Sequence, residues 1–503
     1  MSSTQADIGD HKTSLQYASF TCVLILAVTV FWHSQHLGAG TLYHYDEFYT
    51  HDRVLSFSAM QDWFTVYSLG EPSLKKPPMQ YWMSAGLIEA GLPDLLALRI
   101  PSMMFAIGTM LATAILALVM FPRQVWIMPA SLLLLATSDQ FWRFATSALL
   151  ETGAAFFATL GLLSLFASLR NRRYWPTFPL VVFFAGMQKG PIPMAFLVLA
   201  LVGLALTSRF HSQKVRTIVR DRRFKYSALV ACFAGFSWQI SQQFKFWGQS
   251  SLSGNVQGEM LDRFVPENGL FSLSGSLERF DQLILIDEPW VRLIGLVGIL
   301  LLVVLVNRAE YFAMASVVCF FIGVMVLSSD DVYPRYTLTI LPLLCISASW
   351  LVFRVLRSPA VGCLATVLIA VVIGGPLRPH DGLAHARARP LEANVAEILR
   401  PLNETLRPDE SVVFCRLEPP FFPPGAIHIH VPNAGHGPQT YIEDTNTIAH
   451  DMRRYDGRPV RGICRQNEAE TLRPFFENFT TQPLSHNFVM WTASSIQTFP
   501  KEE

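Results

Sequence analysis

The chain has 503 residues, of which 51% are hydrophobic and 15% charged, against about 25% charged residues in an average soluble protein. A soluble protein of this size needs far more charge to cover its surface, so a soluble enzyme, a disordered chain and a fibrous repeat are excluded and a polytopic membrane protein remains. The formal net charge of +1 gives no case for binding nucleic acid.

In chain order, the first fifteen residues are polar and lack a cationic stretch and a cleavage site, so no removable signal peptide is read there. Apolar runs follow at 17–37, 98–121, 124–138, 147–168, 174–190, 191–208, 226–243, 290–306, 310–328, 336–356 and 359–375. A helix needs roughly 20 residues to cross a ~30 Å hydrocarbon core, so the expected fold is a polytopic α-helical membrane protein of about 11 transmembrane helices. The runs are continuous, without the period-two alternation of barrel strands.

Lys and Arg are unevenly distributed between the loops. One set holds Arg123, Arg170, Arg172, Arg173, the run from Arg209 through Lys214, Arg216, Arg220, Arg222 and Arg223 to Lys225, then Arg308, Arg354 and Arg357. The other holds isolated cations such as Arg143, Lys189 and Arg335. The cation-rich set is expected to face the cytoplasm. That places the N-terminus inside and the C-terminal segment outside an inner (plasma) membrane.

Residues 1–375 therefore read as a transmembrane domain with a first outer loop at 38–97 and a middle outer loop at 244–289. Residues 376–503 read as a small extracytoplasmic α/β domain after a linker, 375–390, rich in Gly, Pro, His and Arg. Within it SVVFC (411–415) and IHIHV (427–431) alternate like strands, and TNTIAHDMRRY (445–455) and NEAETLRPFFENF (467–479) look helical. His428, His430 and His436 lie there, but strand histidines are more often surface residues than ligands. Five of the seven cysteines sit in apolar runs as small core residues. Cys415 and Cys464 fall in the C-terminal domain, and sequence does not decide whether they pair.

The unusual polar residues gather on the outer side. The first outer loop opens with Tyr45-Asp46-Glu47-Phe48-Tyr49 and runs through Gln61-Asp62-Trp63 to Leu74-Lys75-Lys76-Pro77-Pro78-Met79-Gln80-Tyr81-Trp82. Glu151 lies near the outer end of the fourth run, Gln188-Lys189-Gly190-Pro191 turns between two runs, and Asp330-Asp331-Val332-Tyr333-Pro334-Arg335-Tyr336 precedes another. Singly, each has an ordinary explanation. Asp46-Glu47 suits an exposed helix start, Lys75-Lys76 interfacial anchors, Glu151 a partner for Arg143, Lys189 a loop cation, and Asp330-Asp331 a solvated loop. Together they suit transfer from a lipid-linked phosphate: a carboxylate takes a proton from an acceptor hydroxyl, and cations hold the phosphate as it gains charge. No Gly-rich nucleotide loop, G-x-S-x-G elbow or H-E-x-x-H motif is present.

In this order Asp46-Glu47, Gln61-Asp62-Trp63, Lys76-Pro77-Pro78 with Tyr81-Trp82, Arg99, Lys189-Gly190-Pro191, and Pro334-Arg335-Tyr336 ending in Leu341-Pro342 resemble the phospholipid-carrier-dependent glycosyltransferases. That family includes bacterial aminoarabinose transferases and protein O-mannosyltransferases. The resemblance covers 15–360 and is most specific in the first outer loop. It implies a C-type membrane glycosyltransferase fold and inverting transfer of a sugar from a polyprenyl-phosphate donor, at the outer face, to a lipid A, protein or glycan acceptor. It implies that Asp46, Glu47 and Glu151 are catalytic, Asp46 as the base, with Glu47 its acidic neighbour and Glu151 where many members carry Asp. Lys76, Lys189, Arg335 and Tyr336 match the residues near the donor phosphate.

Two departures stand out. Aminoarabinose transferases carry a metal-binding Glu where this chain has Lys75, and the middle outer loop holds no His, which argues against the divalent metal that is the one cofactor the resemblance raises. Thr339 stands where the first Pro of Arg-Tyr-x-x-Pro is usual. The competing classes are a secondary transporter, which would place charges near the midplane and show internal repeats, and a membrane assembly protein whose outer domain binds a partner.

Overall fold

The computed structural model describes residues 2–35, 37–38, 42, 45–68, 71–211, 220–246, 273–285, 288–306, 308–328, 333–374, 390–407, 410–415, 440–442, 459–485 and 487–496. The expected strand 427–431 with its histidines, the expected helix 445–455, the linker 375–389, Asp330-Asp331, the basic stretch 212–219 and most of the middle outer loop lie outside the described residues.

The chain begins with α1 (Ser2–Ser34). Two helices, α2 (Tyr45–Met60) and α3 (Met79–Glu89), flank a short hairpin of β1 (Tyr67–Ser68) and β2 (Glu71–Pro72). Then come α4 (Asp94–Met120), α5 (Ile127–Ala136), α6 (Asp139–Ala145), α7 (Glu151–Arg170), α8 (Thr177–Lys189) and α9 (Pro191–His211). They are followed by α10 (Arg222–Gly235), α11 (Ser237–Lys245), α12 (Leu273–Phe280), α13 (Pro289–Val306), α14 (Ala309–Ser328), α15 (Leu341–Leu356) and α16 (Pro359–Gly374).

Among the described residues, α1, α4, α7, α13 and α14 are long and apolar enough to cross a membrane, while the apolar parts of α5, α9, α15 and α16 are shorter. Phe20 and Phe31 of α1, Val304 of α13 and Leu364 of α16 are 60–73% exposed. Apolar surface on that scale belongs against lipid, and the chain is a membrane protein.

The expected count of about 11 spans includes runs that the structure shortens or divides. The run 124–138 forms only α5, because the Ser138 hydroxyl accepts the Phe141 amide at 3.1 Å and caps a new helix, α6. The run 226–243 breaks at Phe236 between α10 and α11. Gly235, a poor helix former, closes α10. It also lets that helix approach α8 closely, since a Cβ on Gly186 would meet the Gly235 Cα at 2.7 Å. The run 336–356 opens instead as a 3-10 turn, Pro334–Thr339, and the α-helix starts at Leu341. Pro342 lacks an amide proton and is tolerated only in a first turn.

Beyond α17 (Pro390–Thr405) lies a five-stranded sheet. Its members are β3 (Ser411–Cys415), β4 (Thr440–Ile442), β5 (Val460–Arg465), β7 (Thr480–Pro483) and β8 (Phe488–Ala493), in the order β4-β3-β5-β8-β7. The strand β3 is parallel to β4 and β5, and β8 is antiparallel to β5 and β7. The helix expected at 467–479 stops early: α18 covers Gln466–Leu472, Pro474 follows, and β6 (Phe476–Glu477) pairs with β9 (Ser495–Ile496). Cys415 and Cys464, on adjacent strands with Cα atoms 5.1 Å apart, form a disulfide.

A bidentate pair ties this sheet to its approach. Arg461 donates from Nη2 and Nε to the two Glu410 carboxylate oxygens at 2.8 and 3.0 Å. Partial burial raises the Glu410 pKa, but the Arg461 bonds outweigh it and hold the carboxyl below its ordinary 4.5. A folded pKa below the unfolded one adds stability above the unfolded value, and that stability fades as pH falls through the folded value. Glu410→Gln is therefore expected to speed amide exchange across β5 at pH 7. Measured on the full chain by hydrogen–deuterium exchange, after correction for the intrinsic rate, the gap from wild type should narrow once pH falls below 4.5.

Candidate active site

The site is assembled where several helix ends meet. Residues Asp46 and Glu47 occupy the first turn of α2, where the helix dipole favours acids. Lys189 ends α8, where it favours cations. Gly190 then takes φ +71°, a conformation glycine adopts without a Cβ penalty, and Pro191 opens α9. The Lys-Gly-Pro sequence is thus a helix stop, a reversal and a helix start, and it fixes where the ammonium emerges. Glu151 opens α7, and Arg335 and Tyr336 ride on the 3-10 turn before α15.

These groups form one line of alternating charge. Lys189 Nζ lies 2.9 Å from Glu151 Oε1, and Arg335 Nε lies 3.7 Å from the same oxygen. Arg335 Nη1 reaches Asp46 Oδ2 at 2.5 Å. Glu151 and Lys189 side chains are each 9% exposed, Arg335 16%, and Asp46 45%, so the line runs from a buried end to an open one. The Tyr336 ring sits 5.9 Å from Lys189 Nζ and 5.8 Å from the Arg335 guanidinium, close enough for cation–π attraction. Burial works against the Arg335 charge, but Glu151 and Asp46 outweigh it and raise its pKa. The buried Arg335 Nε has no hydrogen-bond partner among the described residues.

Glu47 points elsewhere. It is 1% exposed, takes Arg99 Nε at 3.2 Å and the Ala148 amide at 2.8 Å, and so joins α2 to α4 and to the approach of α7. The pairing of Glu151 with Arg143 does not form, since Arg143 bonds Asp139 at 3.0 Å within α6. The Asp62 carboxylate folds its own turn by accepting the Phe64 and Thr65 amides, and Lys245 of α11 latches it at 2.8 Å. Lys76 is half-buried, and the next residue, Pro77, lies 4.0 Å from where a Cβ on Gly190 would stand, so the Lys-Pro-Pro and Lys-Gly-Pro segments abut.

Beneath them runs a buried amide chain. Gln188 donates to Gln80 at 2.7 Å, and Gln80 donates to Ser102 Oγ and the Leu149 carbonyl at 2.9 and 3.0 Å. Gly153, two residues after Glu151, makes room for it: a Cβ there would fall 2.0 Å from Gln188 Nε2. Gly153→Ala should therefore push Gln188 off Gln80 and disturb Lys189 beside it. Overpacking of about 1–3 kcal/mol outweighs the ~1 kcal/mol helix gain of alanine. Gly86→Ala in α3, where no atom lies within 4 Å, serves as control. Thermal melting should show loss for Gly153→Ala alone.

One residue near the site, Arg53, was not singled out from the sequence as a site group. Arg53 lies two turns after Asp46 on the same face of α2, donates to the Tyr81 hydroxyl at 3.0 Å, and stands over the Tyr49 and Tyr81 rings. The signal was available as the spacing Asp46, Tyr49, Arg53, once α2 is drawn as a helix.

The residues present do not fit the metal that the family resemblance raises. Lys75, a cation, takes the place of the ligand, and among the described residues no group of three or more His, Cys, Asp or Glu is placed to hold an ion.

The helical bundle with its C-terminal sheet has the fold of ArnT from Cupriavidus metallidurans. ArnT from Cupriavidus metallidurans in the apo state superimposes over 95% of this chain and 98% of its own, with a TM-score of 0.63 at 13% identity. ArnT bound to undecaprenyl phosphate gives 0.61 over 93% and 97%, also at 13% identity. The apo Archaeoglobus fulgidus oligosaccharyltransferase gives 0.50 at 12% identity over 84% of this chain and 65% of that one. No protein-family model and no curated protein matches the sequence.

Proposed function

We propose that the chain transfers a sugar from a polyprenyl-phosphate donor to an acceptor hydroxyl on a lipid, protein or glycan outside the cytoplasm. The observation that carries this is the Lys189–Glu151–Arg335–Asp46 line, open at Asp46 and buried at Glu151, with an unpartnered Arg335 Nε. ArnT with bound undecaprenyl phosphate supports the carrier.

In this scheme the donor phosphate enters beside Arg335, Lys189 and Lys76, and Tyr336 packs against the cations. Phosphate oxygens compete with Asp46 for Arg335, so donor binding releases the Asp46 carboxylate. Asp46 then takes the acceptor proton as the acceptor oxygen bonds to the anomeric carbon. The bond from that carbon to the phosphate oxygen breaks, with inversion, and polyprenyl phosphate leaves carrying the extra negative charge. The cations stabilise that charge as it develops. Glu151 keeps Lys189 and Arg335 together despite their repulsion. Glu47 holds the first turn of α2 in place through Arg99.

The cation-rich loops support an outer position for this face at an inner membrane, and the Cys415–Cys464 disulfide suits an oxidising outer compartment. Mass spectrometry of envelope lipids and glycans from cells making the wild-type protein or Asp46→Asn tests the proposal. A sugar-bearing species should disappear in the variant. An identical sugar complement rejects a transferase built on Asp46.

A further inference from the structure

The 3-10 turn that carries Arg335 and Tyr336 is six residues long, and so short a piece is held by what it packs against. Thr337, fully buried on this turn, supplies the link. Its hydroxyl bonds the Pro334 carbonyl at 2.7 Å and lies 3.2 Å from Gln140 Oε1, sharing one proton between them. Gln140 Oε1 also accepts from Arg292 Nη2 at 2.5 Å. Arginine only donates, so this contact fixes which way the amide faces.

Arg292 is fully buried at the head of α13, and its Nη1 donates to the Leu283 carbonyl at 2.9 Å. It shares a helix face with Gly295 and Gly298, which bring α13 against α15, the helix that follows the turn. Glu288 completes the group by accepting from Ser138 Oγ at 2.8 Å and from the Gln140 backbone N–H at 3.2 Å. A buried cation at the head of an apolar helix is costly unless it is used, and none of these groups faces the proposed chemistry directly.

We infer that Gln140 and Arg292 are positioning residues that hold the 334–339 turn, through Thr337, at the height where the Arg335 guanidinium meets the phosphate of a polyprenyl-phosphate donor. This rests on the donor-phosphate role proposed for Arg335. A misplacement of about 1 Å in such a group can cost about 100-fold, so a relay that fixes it acts on affinity without touching the ligand.

The probe is undecaprenyl phosphate, titrated against the full-length protein in detergent, with thermal melting alongside. Losing a hydrogen bond to a charged group weakens binding by about 10–100-fold, so Arg335→Ala should lie in that range and Gln140→Leu near its lower end. Gln140→Glu keeps the acceptor oxygen facing Arg292 and should bind within about 2-fold of wild type. Should Gln140→Leu fail to fold, Thr337→Val cuts the same link from the turn side and should weaken binding similarly. The double variant Gln140→Leu/Arg335→Ala should bind no more weakly than Arg335→Ala alone, because both act through one group. Losses that multiply, or a lowered melting temperature with unchanged affinity in Gln140→Leu and Thr337→Val, overturn the relay while leaving the Arg335 assignment standing. Wild-type affinity in Arg335→Ala overturns both.

Discussion

Asp46→Asn is expected to lower transfer of a labelled sugar from polyprenyl phosphate by about 10²–10⁴-fold, the usual contribution of a general base. Insertion and thermal melting should change little, because the Asp46 side chain is 45% exposed and its pair with Arg335 lies at the open end of the charge line. Asparagine is nearly isosteric and keeps an oxygen for the Arg335 Nη1 donor, so the geometry survives while the basic oxygen is lost. Affinity for undecaprenyl phosphate should hold or rise, since a neutral amide competes less for Arg335 than a carboxylate does. Slow transfer with intact phosphate binding separates the base from the phosphate clamp. Full transfer by the variant removes Asp46 from its proposed role.

The second large effect is on stability. Lys189 and Glu151 are each 9% exposed and 2.9 Å apart, and α8 meets α7 through them. Breaking a buried pair by deleting one partner typically costs about 3–5 kcal/mol, because the other charge is left stranded. Lys189→Ala should fall near the lower end, as Arg335 Nε remains 3.7 Å from the Glu151 carboxylate. The double variant Lys189→Met/Glu151→Gln, which removes both charges at similar volume, should recover most of that loss. It should be inactive, having lost a cation proposed to bind the donor phosphate. Thermal melting of purified protein checks the first half and the transfer assay the second. A double variant as unstable as the single one would show that packing, not charge, governs this contact.

Local signals carried much of this site. Lys189-Gly190-Pro191 is legible because stop, reversal and start are each set by one residue type, and Asp46 because acids at a helix start follow from the dipole. Pairings across the fold were not legible. Glu151 takes Lys189 and Arg335 rather than the nearer Arg143, because side-chain direction in α6 turns Arg143 towards Asp139 one turn back. Glu47 looked like a second catalytic acid beside Asp46, yet adjacent helical positions point about 100° apart, and it faces Arg99. Arg292 stands at the head of an apolar run, and its burial against Gln140 and Leu283 comes from contacts across the fold. The close approach of Gly235 to Gly186 joins two helices, and no window of sequence contains it.

The link between Cys415 and Cys464 also bears on biogenesis. Cytosolic reductants keep thiols apart, so with the C-terminal sheet outside the cytoplasm, as proposed, the crosslink closes only after export and this sheet matures last. A production host or cell-free system without thiol-oxidising capacity would then yield an inserted helical bundle carrying an unfinished C-terminal sheet.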